Sequence, residues 1–215
     1  MAYKKEDWLS RITNRSDITS LLTHLTKPTS DTKGLSEDEI NKLATENLIK
    51  ILQDGVIYGS TTEKGFIVGQ TPAVCFQDVP IYGLIENIEH ELQRRRNNPN
   101  ERYRYCGVGL GFNKRYIFKL GGRPVIYEKT ETAKKILPKD EYWRVVNFDI
   151  DLSKNFLIDW THEREWRLPN EFRFKPFETH VLLYNKICWD FFRDNCPKEV
   201  LEQIDGITVL RRVLL

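Results

Sequence analysis

The sequence predicts a single α+β domain, and three observations carry that reading. Strand-like and helix-like stretches are intermixed along the chain without the regular βαβ alternation of a doubly wound sheet. The 215 residues, 40% of them hydrophobic, suffice for one sizeable core and are too few for a second full domain, so residues 1–215 read as one unit. No internal repeat or low-complexity tract interrupts the pattern.

Apolar positions around Trp8 predict a short leading helix. Residues 21–26 form a strand, because β-branched and apolar side chains dominate until Pro28 stops them. That strand carries His24, read either as a hydrogen-bonded structural residue or as part of a site. Residues 27–36 are rich in Pro, Ser, Thr, Asp and Gly, the composition of a flap beside a site or of a surface insertion. Ser36 with Glu39 is a capping-box pair, and Ile40, Ala44, Leu48 and Leu52 follow at helical spacing until Gly55 ends the helix. Residues 56–60 resume extended structure.

Residues 71–80 read as a short buried strand closed by a turn at 78–80, followed by a helix over 84–92. Arg94, Arg95 and Arg96 then lead into turn residues through Asn100, either a solvated helix end or a phosphate-contacting patch. Gly107, Gly109 and Gly111 invite a nucleotide-loop reading, but Cys106, Val108, Leu110 and Phe112 alternate with them, and alternation is strand periodicity. Glycines on one strand face mean that another element or a ligand comes close. Asn113 caps a short helix that ends near Gly121, and strands over 124–127 and 144–150 flank a helix that stops at Pro138. A strand over 180–184, short helices within 187–204 and a terminal strand over 207–215 complete the chain.

The stretch with the most chemistry is Thr161-His162-Glu163-Arg164-Glu165-Trp166-Arg167. In an extended segment residues i and i+2 share a face, so Glu163 and Glu165 would point one way and Arg164 and Trp166 the other. Paired carboxylates repel, which shifts at least one pKa and suits acid–base or electrostatic work. The alternative is a solvated strand edge with Arg164 and Arg167 as exposed ion-pair partners. A net charge of +2 gives no strong basic field, so nucleic acid would have to bind at a local patch. Cys75, Cys106, Cys188 and Cys196 form no CxxC pair and lie near no histidine at ligand spacing, which argues against zinc and for reduced thiols in a cytoplasm. Neither a signal peptide nor an apolar membrane-spanning run is expected.

Several of these stretches share an order with a known family. Leu22-Thr23-His24-Leu25-Thr26 followed by Asn47-Leu48-Ile49-Lys50-Ile51-Leu52-Gln53-Asp54-Gly55 resembles the "HFT…NLxxILxxGxI" block of DarT-like ADP-ribosyltransferases and AbiGi-like abortive-infection proteins. The blocks at 74–80, 105–110, 124–127 and Glu163-Arg164-Glu165-Trp166-Arg167 resemble the AbiGi-like pattern in the same order. The resemblance implies a split, mainly antiparallel sheet with flanking helices and an NAD cleft. It implies Glu165 as the catalytic glutamate, Glu163 as its partner in an E-x-E arrangement, and NAD contacts from His24, Thr26, Cys75, Phe76 and Tyr105. Leu25 and Cys75 depart from the family's usual Phe and Ser.

The chemistry agrees with that assignment. Cleaving the NAD glycosidic bond develops positive charge on the ribose, which a carboxylate near the 2′-hydroxyl stabilises. Glu163 would orient or deprotonate the acceptor, and a neutral His24 would donate a hydrogen bond to the ligand. Tyr103, Tyr105 and Trp166 are candidates for stacking or for core packing. The expected activity is that of an NAD-dependent phage-defence toxin modifying RNA or single-stranded DNA, with a cognate antitoxin as a further partner. The alternatives are a catalytically silent binding module of the same fold and a transferase acting on protein. Hydrolytic nuclease chemistry would want a metal-binding carboxylate cluster, and the scattered Asp and Glu residues provide none.

Overall fold

A computed structural model describes residues 4–13, 15–63, 65–98 and 104–213. Tyr103, residues 99–100 of the turn after the arginines and residues 214–215 of the expected terminal strand lie outside the described residues. The fold is α+β, built on a seven-stranded, mainly antiparallel sheet flanked by helices.

Its strands are β1 (Leu21–Leu25), β3 (Ala73–Gln77), β4 (Gly109–Asn113), β5 (Arg123–Pro124), β8 (Glu165–Pro169), β10 (His180–Leu183) and β11 (Gly206–Val209). They run in the order β11-β10-β4-β1-β3-β8-β5, and only β10 and β11 pair in parallel. Two small ribbons sit outside this sheet. Strand β2 (Val56–Tyr58) pairs with β9 (Glu171–Arg173), and β6 (Ile126–Glu128) pairs with β7 (Val145–Asn147). The helices are α1 (Lys5–Thr13), α2 (Glu37–Asp54), α3 (Ile81–Asn97), α4 (Lys114–Lys119), α5 (Thr130–Ile136), α6 (Lys186–Asn195) and α7 (Lys198–Leu201).

Local chemistry explains the helix that flanks the site. The Ser36 hydroxyl accepts from the Glu39 N–H while the Glu39 carboxylate takes the Ser36 N–H at 2.8 Å, so α2 starts at its capping box. It ends at Gly55, whose φ of 62° lies in the left-handed region open to glycine. Ile40, Ala44, Leu48 and Leu52 bury one face of α2 in the core. Phe76, Phe112 and Phe172 meet edge-to-face at the centre of that core.

Several expected elements differ. Helix α3 runs from Ile81 to Asn97 rather than over 84–92 and contains all three arginines; Pro80 stands at its N-cap position without a side-chain hydrogen bond, and Gly83 lies inside it. The glycine-bearing strand begins only at Gly109, although Cys106 N–H still donates to the Thr26 carbonyl at 2.9 Å. What approaches the described glycines is another element: a Cβ on Gly109 would lie 2.3 Å from the His24 carbonyl oxygen. The terminal strand stops at Val209, where a 3₁₀ turn takes over.

Candidate active site

A cleft of about 670 Å³ opens beside β1, β3 and β8 and takes in His24, Cys75, Gln77, Tyr105, Glu163 and Glu165. Helix α2 contributes Asn47, Lys50 and Asp54, and the loop after β1 contributes Lys27 and Thr29. The Asn47 amide donates to the Lys27 carbonyl at 3.0 Å, which ties this loop to the helix. The cleft therefore holds carboxylates and cations together.

Glu163 and Glu165 both line this cleft, but not as one extended run. Glu163 closes a 3₁₀ turn over Thr161–Glu163, Arg164 adopts a left-handed φ of 45°, and Glu165 opens β8. The turn sends the Arg164 side chain elsewhere: Nη1 donates to the Asp17 carbonyl at 2.6 Å. Trp166 likewise leaves the carboxylates, its Nε1–H donating to Asp78 at 3.1 Å. The expectation of exposed arginine partners on a strand edge is corrected at Arg167, because β8 is paired on both sides by β3 and β5 and Arg167 is 2% exposed.

Arg167 is the residue that sequence reasoning undervalued. Its Nε donates to Glu165 Oε1 at 2.7 Å and Nη2 to Oε2 at 3.3 Å, a two-point contact between buried groups. Nη1 donates to the carbonyls of Trp143 and Val145, and Nη2 also reaches the Phe66 carbonyl. All five guanidinium N–H groups therefore have acceptors. The i+2 spacing of Glu165 and Arg167 was the available signal.

Glu163 has no such clamp. Burial, then the charge of Glu165, pushes its carboxyl up to about 7, with Arg104 and Arg167 pulling the other way. Two carboxylates two residues apart thus have different partners: Glu165 is held by a guanidinium and Glu163 is not. Burial and the Glu165 charge also hold the Cys75 thiol well above its usual range, so it stays protonated. The Tyr127 hydroxyl accepts the Glu165 N–H at 2.8 Å and anchors the backbone at that point.

His24 lines the cleft, and its role differs from the expected one. Nδ1 lies 2.9 Å from the Cys75 carbonyl, which can only accept, so Nδ1 carries the proton. Burial lowers the ring's pKa. A neutral ring with Nδ1–H engaged presents Nε2 as an acceptor, so it would take a hydrogen bond from a ligand hydroxyl rather than donate to a phosphate.

The remaining predicted contacts divide. Thr26 borders the cleft but is buried, its hydroxyl 3.1 Å from the Val108 carbonyl and 3.3 Å from that of Ala44, so the hydroxyl braces β1 at the cleft wall. Phe76 also borders the cleft, but it is 1% exposed with its ring among Phe112 and Phe172, so most of it belongs to the core. Tyr105 lines the cleft, and burial and then the Glu163 charge raise its hydroxyl pKa. Two members of the arginine run have acidic partners. Arg94 pairs with the buried Glu91 at 3.0 Å and Arg96 with Glu37 at 2.8 Å.

Arg104 brings a cation to the cleft that the sequence did not announce, its guanidinium 4.4 Å from the centroid of the Trp160 ring. Trp160 in turn lies 5.9 Å from the His162 ring. Among the described residues no three His, Cys, Asp or Glu side chains gather as metal ligands, and no helix is long and apolar enough to cross a membrane. Comparison of the chain with protein-family models, with curated proteins and with solved structures returns no match.

Proposed function

We propose that the cleft binds NAD and transfers its ADP-ribose to a nucleic-acid acceptor, RNA or single-stranded DNA, on an ADP-ribosyltransferase-like fold serving as a phage-defence toxin. The observation that carries the reading is the meeting of His24 from β1 with Glu163 and Glu165 from the turn into β8, across β3, in one cleft. Lys27, Lys50 and Arg104 on the same cleft are cations of the kind a pyrophosphate requires.

In this reading Glu165 accepts a hydrogen bond from the ribose 2′-hydroxyl and opposes the positive charge that grows on the sugar as the bond from C1′ to nicotinamide breaks. Nicotinamide leaves with the bonding electrons. The acceptor attacks C1′ and gives its proton to Glu163, whose value near 7 suits a base at neutral pH. His24 Nε2 accepts from a ribose hydroxyl. Arg104 against Trp160, with His162 beside it, offers an unpaired base a cation and aromatic surface near Glu163.

One observation favours a protein acceptor instead. Leu152 and Phe156 are 86% and 83% exposed on the segment that leads into Trp160, more apolar surface than a phosphate backbone calls for. Incubation with labelled NAD and separate pools of RNA, DNA and protein decides between them. Label in nucleic acid that disappears with Glu165→Gln supports the proposal. Label in protein alone selects the second reading, and absence of nicotinamide release overturns both.

A further inference from the structure

We propose that Arg167 is the positioning residue of this cleft: it holds both oxygens of Glu165 so that the carboxylate is presented to a ligand as an acceptor-only group. The inference rests on the NAD reading above and adds a residue that does not touch the ligand. The guanidinium is itself immobilised, because its other donors are bound by carbonyls from three places in the chain, Phe66 before β3, Trp143 at the end of a 3₁₀ turn and Val145 in β7. Glu165 therefore adapts to Arg167 and not the reverse.

The two contacts are unequal. Oε1 lies 2.7 Å from Nε and Oε2 3.3 Å from Nη2, and the Cys75 thiol also bonds the carboxylate, so Arg167 holds Oε1 more tightly than Oε2 while the oxygens' further lone pairs are what a ligand hydroxyl would meet. A sugar diol, which has hydroxyl protons to donate, matches such a group.

Stability alone does not account for the pair. Both side chains are nearly inaccessible, at 3% and 8%, and a buried ion pair is often no more stabilising than apolar residues of similar volume. Arg167 occupies a paired interior strand, where a β-branched residue would fill the same place. Lysine would keep the charge but could not match five donors in one plane.

The test is a double-mutant cycle on nicotinamide release from NAD, using the whole chain at a temperature where circular dichroism shows each variant folded. Arg167→Lys should lower kcat by about 10- to 10²-fold, the cost of misplacing a reacting group by a fraction of its hydrogen-bond length, with KM within about threefold of wild type. In a Glu165→Gln background the same change should cost less than about threefold, because the residue acts only through Glu165. Should Arg167→Lys prove unfolded at every assay temperature, Arg167→Gln alone and with Glu165→Gln carries the same cycle, the double variant having no charge left buried.

Equal fractional losses in both backgrounds, or a loss confined to melting temperature, overturn the inference while leaving the NAD reading intact. A wild-type chain that releases no nicotinamide overturns both.

Discussion

Two stretches of this chain stand out for charge, the carboxylate turn at 163–167 and the arginine run at 94–96, and folding treats them oppositely. At the first, a turn and a strand start bring Glu163 and Glu165 to one cleft and bury Arg167 against Glu165. At the second, three consecutive residues of a helix point about 100° apart, and Arg94 and Arg96 find separate partners on α3 and α2. Adjacency in sequence becomes adjacency in space on extended chain at spacing two and on helix at spacing three or four. The compact cationic run was the more conspicuous pattern, yet the sparser one converges.

The contrast is broken most severely at Glu165. Glu165→Gln keeps shape while removing the charge, so nicotinamide release should fall by about 10²-fold or more with the fold retained. Release at the wild-type rate would remove the cleft's claim to chemistry.

Next is Glu163, where activity and stability should move apart. As a base it must be ionised, so transfer should rise with pH through about 7. Stability should do the reverse: the folded value lies above the ordinary 4.5, so the folded chain holds an extra proton between 4.5 and 7 and loses up to about 3 kcal/mol as pH rises through that window. Glu163→Gln should abolish the pH-dependent transfer and make the protein harder to melt at pH 8 than wild type. Urea titrations at pH 5 and pH 8 read the difference, and equal pH dependence in the two proteins would count against it.

At the arginine run the expected losses are of stability. Arg94→Ala leaves the Glu91 carboxylate, 4% exposed, with the Arg104 N–H at 3.3 Å, and should cost about 1–3 kcal/mol while nicotinamide release per folded molecule stays unchanged. A drop in the labelling of nucleic acid without a drop in melting temperature would return the run to the acceptor surface. Arg96→Ala, at an exposed pair, should cost less than about 1 kcal/mol and lose even that in high salt.

Much of the framework was readable because its signals are local. The capping box at Ser36, the stop at Gly55 and the apolar, β-branched runs of β1 and β3 each depend on a few neighbouring residues. The α3 boundary was not readable, since Pro80 and Gly83 suggest a turn until Leu84, Ile85 and Ile88 are seen to bury one continuous face. The candidate site was legible in its acidic residues and His24, whose spacing or strand context marks them. Arg104, Lys27 and Lys50 were not, because nothing in a solvated cation's surroundings along the chain says that a distant element will place it on a cleft. Thr26 and Phe76 border the cleft as their sequence position suggests, and the demands of a buried hydroxyl and a buried ring engage them with the core as well.

Gly109 faces no ligand and has no side chain, yet a methyl group there would lie 2.3 Å from the carbonyl oxygen of His24 and 3.0 Å from the Cα of Leu25. Strand β1 is held between β4 and β3, so it could yield only by sliding on Cys75, the residue whose carbonyl fixes the His24 ring at 2.9 Å. Position 109 should consequently behave in a saturation screen like a member of the site. Inactive variants should accumulate there across every amino-acid class, alanine included, while exposed positions of the cleft rim tolerate several.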